Sequence, residues 1–301
     1  MRNELPLDSP CASIDHSPLL TATSLQGNAM NDWVDWIATH VLWLWLVLLL
    51  LAVLAGDLAW QRSARLRRQA LASGRRPVVM RPSTGGLLVL AMCSLFAVLV
   101  LEVGIDSTSE LARFDDALAE TLHARLPLPA LRAIATITHL GDFATVTAAS
   151  VLVLAILLLR RQGLLALGWT LALAGIVPID GGIKRIFHRP RPLQGHGFIL
   201  EPGWSFPSGH AFGAIVFYGM LAYVLLQLLP PRWHRATIAA AVILTGVIGI
   251  SRVLLQVHYF SDVLGGYACG LGWLLVCIGI TEYLRHRAAT VATPAISDMP
   301  S

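Results

Sequence analysis

Lys184, Arg191 and Arg252 are permanent cations, and His210, His258 and Asp262 are titratable groups that stand with them in three short segments. The segments read Lys184-Arg-Ile-Phe-His-Arg-Pro-Arg191-Pro192, Phe206-Pro207-Ser208-Gly209-His210 and Ser251-Arg252-Val-Leu-Leu-Gln-Val-His258-Tyr-Phe-Ser-Asp262. Three cations without acids of matching number repel one another unless an anion neutralises them, and a phosphate group suits two guanidinium forks and one ammonium. Pro207-Ser208-Gly209-His210 stands where a loop turns into an apolar helix. Backbone N–H groups at such a terminus attract an anion, with Ser208 as cap or donor and Gly209 allowing close approach. His258 and Asp262 are four apart, which on a helix puts both on one face, so the carboxylate orients one imidazole nitrogen and leaves the other free as a nucleophile. Asp262 raises the imidazole pKa and the cations lower it, and the sequence leaves the net sign open. Two histidines on separate segments allow divided labour: His258 attacks phosphorus and His210 protonates the departing oxygen, then activates water. This scheme uses no metal and no other cofactor, and a cationic cluster repels a metal ion.

The elements that must position these groups are set by an apolar composition. The 301 residues are 55% hydrophobic and 13% charged, with a mean hydropathy of +0.66, far beyond one soluble core. Seven apolar runs, near residues 39–56, 85–105, 143–159, 163–180, 211–229, 236–251 and 263–281, approach the length that spans hydrocarbon. They lack strand alternation, which predicts an all-α transmembrane bundle. The net charge of +4 reports topology and gives no ground for a nucleic-acid partner. Cys93, Cys269 and Cys277 lie inside apolar runs and Cys11 in the polar tail, with neither a disulfide framework nor a metal-binding CxxC pair.

The stretch from Trp60 to Pro82 holds Arg62, Arg65, Arg67, Arg68, Arg75, Arg76 and Arg81 and no acid, which predicts a cytoplasmic loop. By alternation, the stretch from Asp106 to Asp142, with six acids, is an outer loop. The stretch from Gly181 to Ser208 is outer as well, yet carries Lys184, Arg185, Arg189 and Arg191 against the single acid Glu201, so topology does not account for its charge. All three chemical segments fall at the outer ends of the last four spans. Residues 1–36 form a polar tail expected to be disordered, 37–84 an extra span with its basic loop, 85–281 the membrane domain, and 282–301 a cytoplasmic tail.

These segments resemble the signature of the type 2 phosphatidic acid phosphatase (PAP2) family, K-x6-R-P, P-S-G-H and S-R-x5-H-x3-D, and all eleven specified residues match. The resemblance implies phosphate ligands at Lys184, Arg191 and Arg252, a phosphate-contacting turn at Ser208 and Gly209, a further contact at Ser251, His210 as general acid, His258 as nucleophile and Asp262 as its partner. It also implies a six-helix core, residues 85–281, with the first span outside it. Soluble vanadium haloperoxidases share the signature, but this composition favours a membrane phosphatase.

The expected substrate is a phosphorylated membrane lipid met at the outer bilayer boundary. By analogy with bacterial relatives the candidates are undecaprenyl diphosphate first, then phosphatidylglycerophosphate, phosphatidate and lipid A phosphates. The expected location is a bacterial inner membrane with the site facing the periplasm. The signature does not separate hydrolysis from transfer to a hydroxyl acceptor. A non-enzymatic transporter of anionic lipid would need the cations but not the two histidines.

Overall fold

A computed structural model describes residues 17–73, 82–106, 108–192 and 201–291. Every regular element among them is helical. In chain order these are α1 (Ser17–Ala72), α2 (Pro82–Leu99, continued by a wider turn through Ile105), α3 (Glu110–Arg125), α4 (Leu128–Thr138), α5 (Phe143–Leu159), α6 (Gly163–Ala174), α7 (Ile176–Phe187), α8 (Gly209–Leu228), α9 (His234–Leu254) and α10 (Phe260–Val291). Seven helical stretches are long and apolar enough to cross a membrane, and they coincide with the seven apolar runs. Exposed Leu, Val, Trp and Phe cover their outer faces, as a lipid solvent permits.

α8 is the most buried span and α1 the least. α8 packs between α9 and α10, and α10 also lies along α2. Close approach depends on glycine: a Cβ on Gly266 of α10 would stand 2.6 Å from the Ser208 carbonyl oxygen, so only the bare backbone lets the start of α8 rest there.

Three expectations change. α1 begins at Ser17, so residues 17–36 are helical where disorder was expected, while residues 1–16 lie outside the described residues. The basic stretch after Trp60 is helical as far as Ala72, because Gln61–Ala72 is rich in Arg, Ala, Leu and Gln, all good helix formers; Arg75, Arg76 and Arg81 lie outside the described residues. The acidic outer stretch from Asp106 to Asp142 is mostly the two helices α3 and α4. α3 is amphipathic: Ala112, Leu118 and Leu122 are buried, and so is Asp115 on the same side.

α1 crosses α9. Arg235, near the start of α9, donates to both oxygens of Asp57 at 2.6 and 2.8 Å, and Trp45 Nε1 donates to the Gly246 carbonyl at 3.3 Å. The arginine-rich end of α1 therefore lies beyond Arg235, and Arg252 is about 25 Å away along α9.

Candidate functional site

The C-terminal ends of α7 and α9 and the N-terminal ends of α8 and α10 meet at one end of the bundle, and all three chemical segments lie there. Direct bonds tie them. The Ser208 backbone N–H donates to the Asp262 carbonyl at 2.9 Å, joining α8 to α10, and the Ser205 N–H donates to the Arg189 carbonyl at 2.8 Å, joining the loop before α8 to the chain after α7. Ser208 is the N-cap of α8, its Oγ accepting from Ala211 N–H.

α9 ends in a tight reversal through Gln256, whose φ of +57° is costly for a side chain with a Cβ. The Gln256 amide donates to the Ala119 carbonyl of α3, which holds the turn in place. That reversal delivers His258. The histidine precedes α10 and does not share a helical face with Asp262, which sits in the first turn of α10. The two still meet: His258 Nδ1 is 3.5 Å from Asp262 Oδ2, and Ser205 Oγ stands 3.3 Å from the same nitrogen while donating to that carboxylate. On the opposite edge of the ring, Arg191 Nη1 lies 3.0 Å from His258 Nε2. A guanidinium only donates, so Nε2 is the acceptor and the proton is assigned to Nδ1, facing Ser205 and Asp262. His258 is buried, and burial outweighs Asp262 and pushes its pKa down to about 3. A pKa that low leaves the imidazole neutral at physiological pH.

Behind His258 lies a network that sequence reasoning left out of the site. Arg189 Nη1 donates to Asp262 Oδ1 at 2.6 Å and to Ser261 Oγ at 2.8 Å, and its Nη2 donates to Asp115 Oδ2 at 2.9 Å. The Ser261 hydroxyl also donates to Asp115, and the Arg189 guanidinium lies over the Tyr259 ring at 4.3 Å. Burial opposes the Arg189 charge, but Asp262 and Asp115 more than offset it and hold its pKa above the usual value. Burial pushes the Asp115 carboxyl up despite the neighbouring Arg189.

In front of His258 the cations are arranged differently from the expectation, because acids stand among them. Lys184 Nζ is 2.9 Å from Asp180 Oδ2, and both pack against Gly209, whose Cβ position is 3.3 Å from the ammonium. Arg252 is fully buried; it donates to Glu201 Oε1 at 2.5 Å and to Thr138 Oγ1 at 3.1 Å, leaving Nε with no partner. Burial raises the Glu201 pKa, but Arg252 and the other charges around it bring it below the ordinary value. Arg191 donates to the Gly203, Trp204 and Val257 carbonyls, and no carboxylate among the described residues comes within ion-pair distance of it. Burial lowers its pKa, though not far enough to threaten its charge.

His210 Nε2 lies 3.0 Å from Asp142 Oδ1, and its Nδ1 lies 3.8 Å from Glu201 Oε1 on the side of Arg252. Ser251 is turned away: its hydroxyl lies 2.6 Å from the Ile248 carbonyl and 2.8 Å from Thr138 Oγ1, so it braces α9 against α4.

A sequence model of the PAP2 superfamily matches residues 163–286. That stretch of the chain is similar to the superfamily. All three segments, from Lys184 to Asp262, fall inside it. Over 106 residues the chain is 34% identical to phosphatidylglycerophosphatase B of Bacillus subtilis, covering 35% of this chain and 52% of that protein. Over 89 residues it is 38% identical to a lipid A 1-phosphatase of Rhizobium etli, covering 30% and 32%. A crystal structure of the transmembrane PAP2-type phosphatidylglycerolphosphate phosphatase of Bacillus subtilis superposes with a TM-score of 0.59 at 26% identity, over 65% of this chain and 96% of that one. The sequence matches thus span about half of the first relative and about a third of the second. The chain is an integral membrane protein with the fold of that neighbour.

Proposed function

We propose that the chain is a membrane lipid phosphatase working through a phosphohistidine at His258. The observation that carries this is the pairing at the imidazole: Arg191 stands 3.0 Å from Nε2, and Asp262 with Ser205 stands at Nδ1. A phosphoryl oxygen held by Arg191 puts phosphorus in front of the nitrogen lone pair. The orphan Nε–H of Arg252 supplies a second donor, and Lys184 and the N-terminus of α8 complete the cradle.

In the first step a P–N bond forms at His258 Nε2 while the bond from phosphorus to the lipid oxygen breaks. The electron pair leaves on that oxygen, which takes a proton from His210. In the second step water attacks phosphorus, His210 takes its proton, the P–N electrons return to Nε2 and inorganic phosphate departs. Asp142 holds the His210 ring through both steps. The balance closes without a metal.

The substrate is a lipid with a phosphate monoester or diphosphate headgroup. The names of the relatives support phosphatidylglycerophosphate-type lipids first and lipid A phosphates next, both ahead of undecaprenyl diphosphate. Residues 85–281 act as the catalytic unit and α1 as an accessory helix. The site faces the periplasm of a bacterial inner membrane, because the arginine-rich end of α1 lies at the opposite end of the bundle and is retained inside.

Purified protein in detergent with phosphatidylglycerophosphate and a chelator should release inorganic phosphate, and acid-labile labelling from a radioactive headgroup should map to His258. His258→Ala protein should bind the lipid and release nothing. Normal phosphate release by that variant would overturn the mechanism. Transfer of the label to an added alcohol with no free phosphate would make the enzyme a phosphotransferase.

A further inference from the structure

Below the phosphate site lies a cavity of about 280 Å³ whose walls are almost wholly apolar, set between α2, α7 and α10. Val89 and Phe96 of α2, Ile179 of α7 and Cys269, Gly272 and Val276 of α10 are among its walls. Two contacts join it to the site above. Phe96 stacks on Phe206 at 5.7 Å between ring centres, and Phe206 immediately precedes the Pro207-Ser208-Gly209-His210 turn. Ile179 adjoins Asp180, the partner of Lys184, whose Oδ1 is buried with no partner. At the wall of α2 the cavity reaches Cys93, which is exposed on the outer face of the bundle, so the cavity has a side opening toward lipid.

Its place is that of the inner part of a lipid chain. Along α10, Gly272 and Val276 follow Asp262 by ten and fourteen residues, about 15 and 21 Å at the helical rise. Half of a bilayer's hydrocarbon is about 15 Å thick. Ala268, the first cavity residue of α10, follows Asp262 by six residues, about 9 Å, so the cavity runs from below the headgroup level to past the membrane midplane. A lipid whose phosphate enters the cradle must keep its chains out of water, and this slot is an apolar volume beneath the cradle, joined to it through Phe96 and Phe206.

We propose that the slot holds one hydrocarbon chain of the substrate and makes the enzyme selective for chain length. This rests on the phosphatase reading above. Gly272→Phe tests it, since only Met92 Cβ, at 3.6 Å, lies near the position where the new side chain would begin. Val89→Trp fills the same slot from the α2 wall, and Leu87→Trp, on an exposed position of the same helix, is the control. Both filling variants should raise KM about tenfold for a phosphate ester bearing a sixteen-carbon chain. They should leave kcat/KM for a short, water-soluble phosphate ester at the wild-type value, and Leu87→Trp should change neither. Unchanged KM for the long-chain ester, or equal losses with both esters, would overturn the proposal.

A second measurement does not depend on turnover. In the His258→Ala protein, a long-chain phosphate carrying a photoreactive group at mid-chain should cross-link to α10 between Cys269 and Val276. Cross-links confined to other lipid-facing helices would overturn the slot even if the enzyme is a phosphatase. A wild-type protein that hydrolyses neither ester, yet cross-links in the slot, would defeat the phosphatase reading and leave a site for a lipid chain.

Discussion

The two edges of the His258 ring look onto opposite kinds of environment. Behind Nδ1, Asp262, Ser205, Ser261, Arg189 and Asp115 form a closed set in which every buried side-chain polar atom among the described residues has a partner. In front of Nε2, Arg252 and Asp180 each keep one buried polar atom without any. A satisfied network holds one geometry, whereas the unpartnered Arg252 Nε–H, a donor in a dry site, raises the free energy of the empty state and favours an anion; the Asp180 oxygen, an acceptor, does not. In the proposed mechanism the rear thus fixes the nucleophile, and the front is left to be completed by the phosphoryl group.

Substitutions should separate the two regions by whether stability changes along with activity. The largest effect is expected for Arg189→Leu, which leaves Asp115 and Asp262 buried without their shared cation. The loss should be about 3–5 kcal/mol of stability with turnover nearly abolished, measured by thermal unfolding in detergent beside phosphate release. Arg191→Ala should cost about a hundredfold to a thousandfold in kcat/KM and leave the unfolding temperature close to wild type, because Arg191 meets mainly carbonyls at the mouth of the site. Equal destabilisation by the two variants would erase the distinction between rear and front.

Much of the front was legible in the sequence because its residues stand close together in the chain at fixed spacings. Lys184, Arg191, Ser208, His210, Arg252 and His258 are brought to one end of four helices, and the seven apolar runs that carry them are helices. Apart from Asp262, the rear was not legible, since its members come from distant stretches whose charges had another explanation. Asp115 was one of six acids in a stretch read as an acidic outer loop. The signal that sets it apart is its place beside Ala112, Leu118 and Leu122 on the apolar face of α3, where a carboxylate needs a buried cation. Arg189 was counted as one cation of a cluster, and only packing shows that it turns away from Arg191. Asp180 fell one residue outside the stretch in which acids were counted, which made Lys184 look unpaired.

Glu201 sharpens the account of the front. Its carboxylate holds Arg252 at 2.5 Å and lies 3.8 Å from His210, where a phosphate oxygen would compete for the same donors. Glu201→Gln removes the competing charge and should tighten inhibition by inorganic phosphate several-fold at neutral pH. Because the Glu201 pKa is lowered, wild-type protein should approach the variant only below pH 4.5, as the carboxylate protonates. An inhibition constant that Glu201→Gln leaves unchanged at every pH would remove Glu201 from the site.

The smallest effect concerns His258 itself and asks whether burial keeps the ring neutral. With its pKa near 3, against an ordinary value of 6.5, the unfolded chain binds more protons at this position than the folded one between those two pH values. The contribution of His258 to stability is therefore complete above pH 6.5 and is lost progressively as pH falls toward 3. Nitrogen NMR of histidine-labelled protein, assigned with the His258→Ala variant, should show a neutral ring with its proton on Nδ1 throughout pH 5 to 8. Titration near 6.5 would mean that water reaches the rear of the ring. The closed network could then no longer account for the orientation of the nucleophile, and Arg191 would face an imidazolium instead of a lone pair.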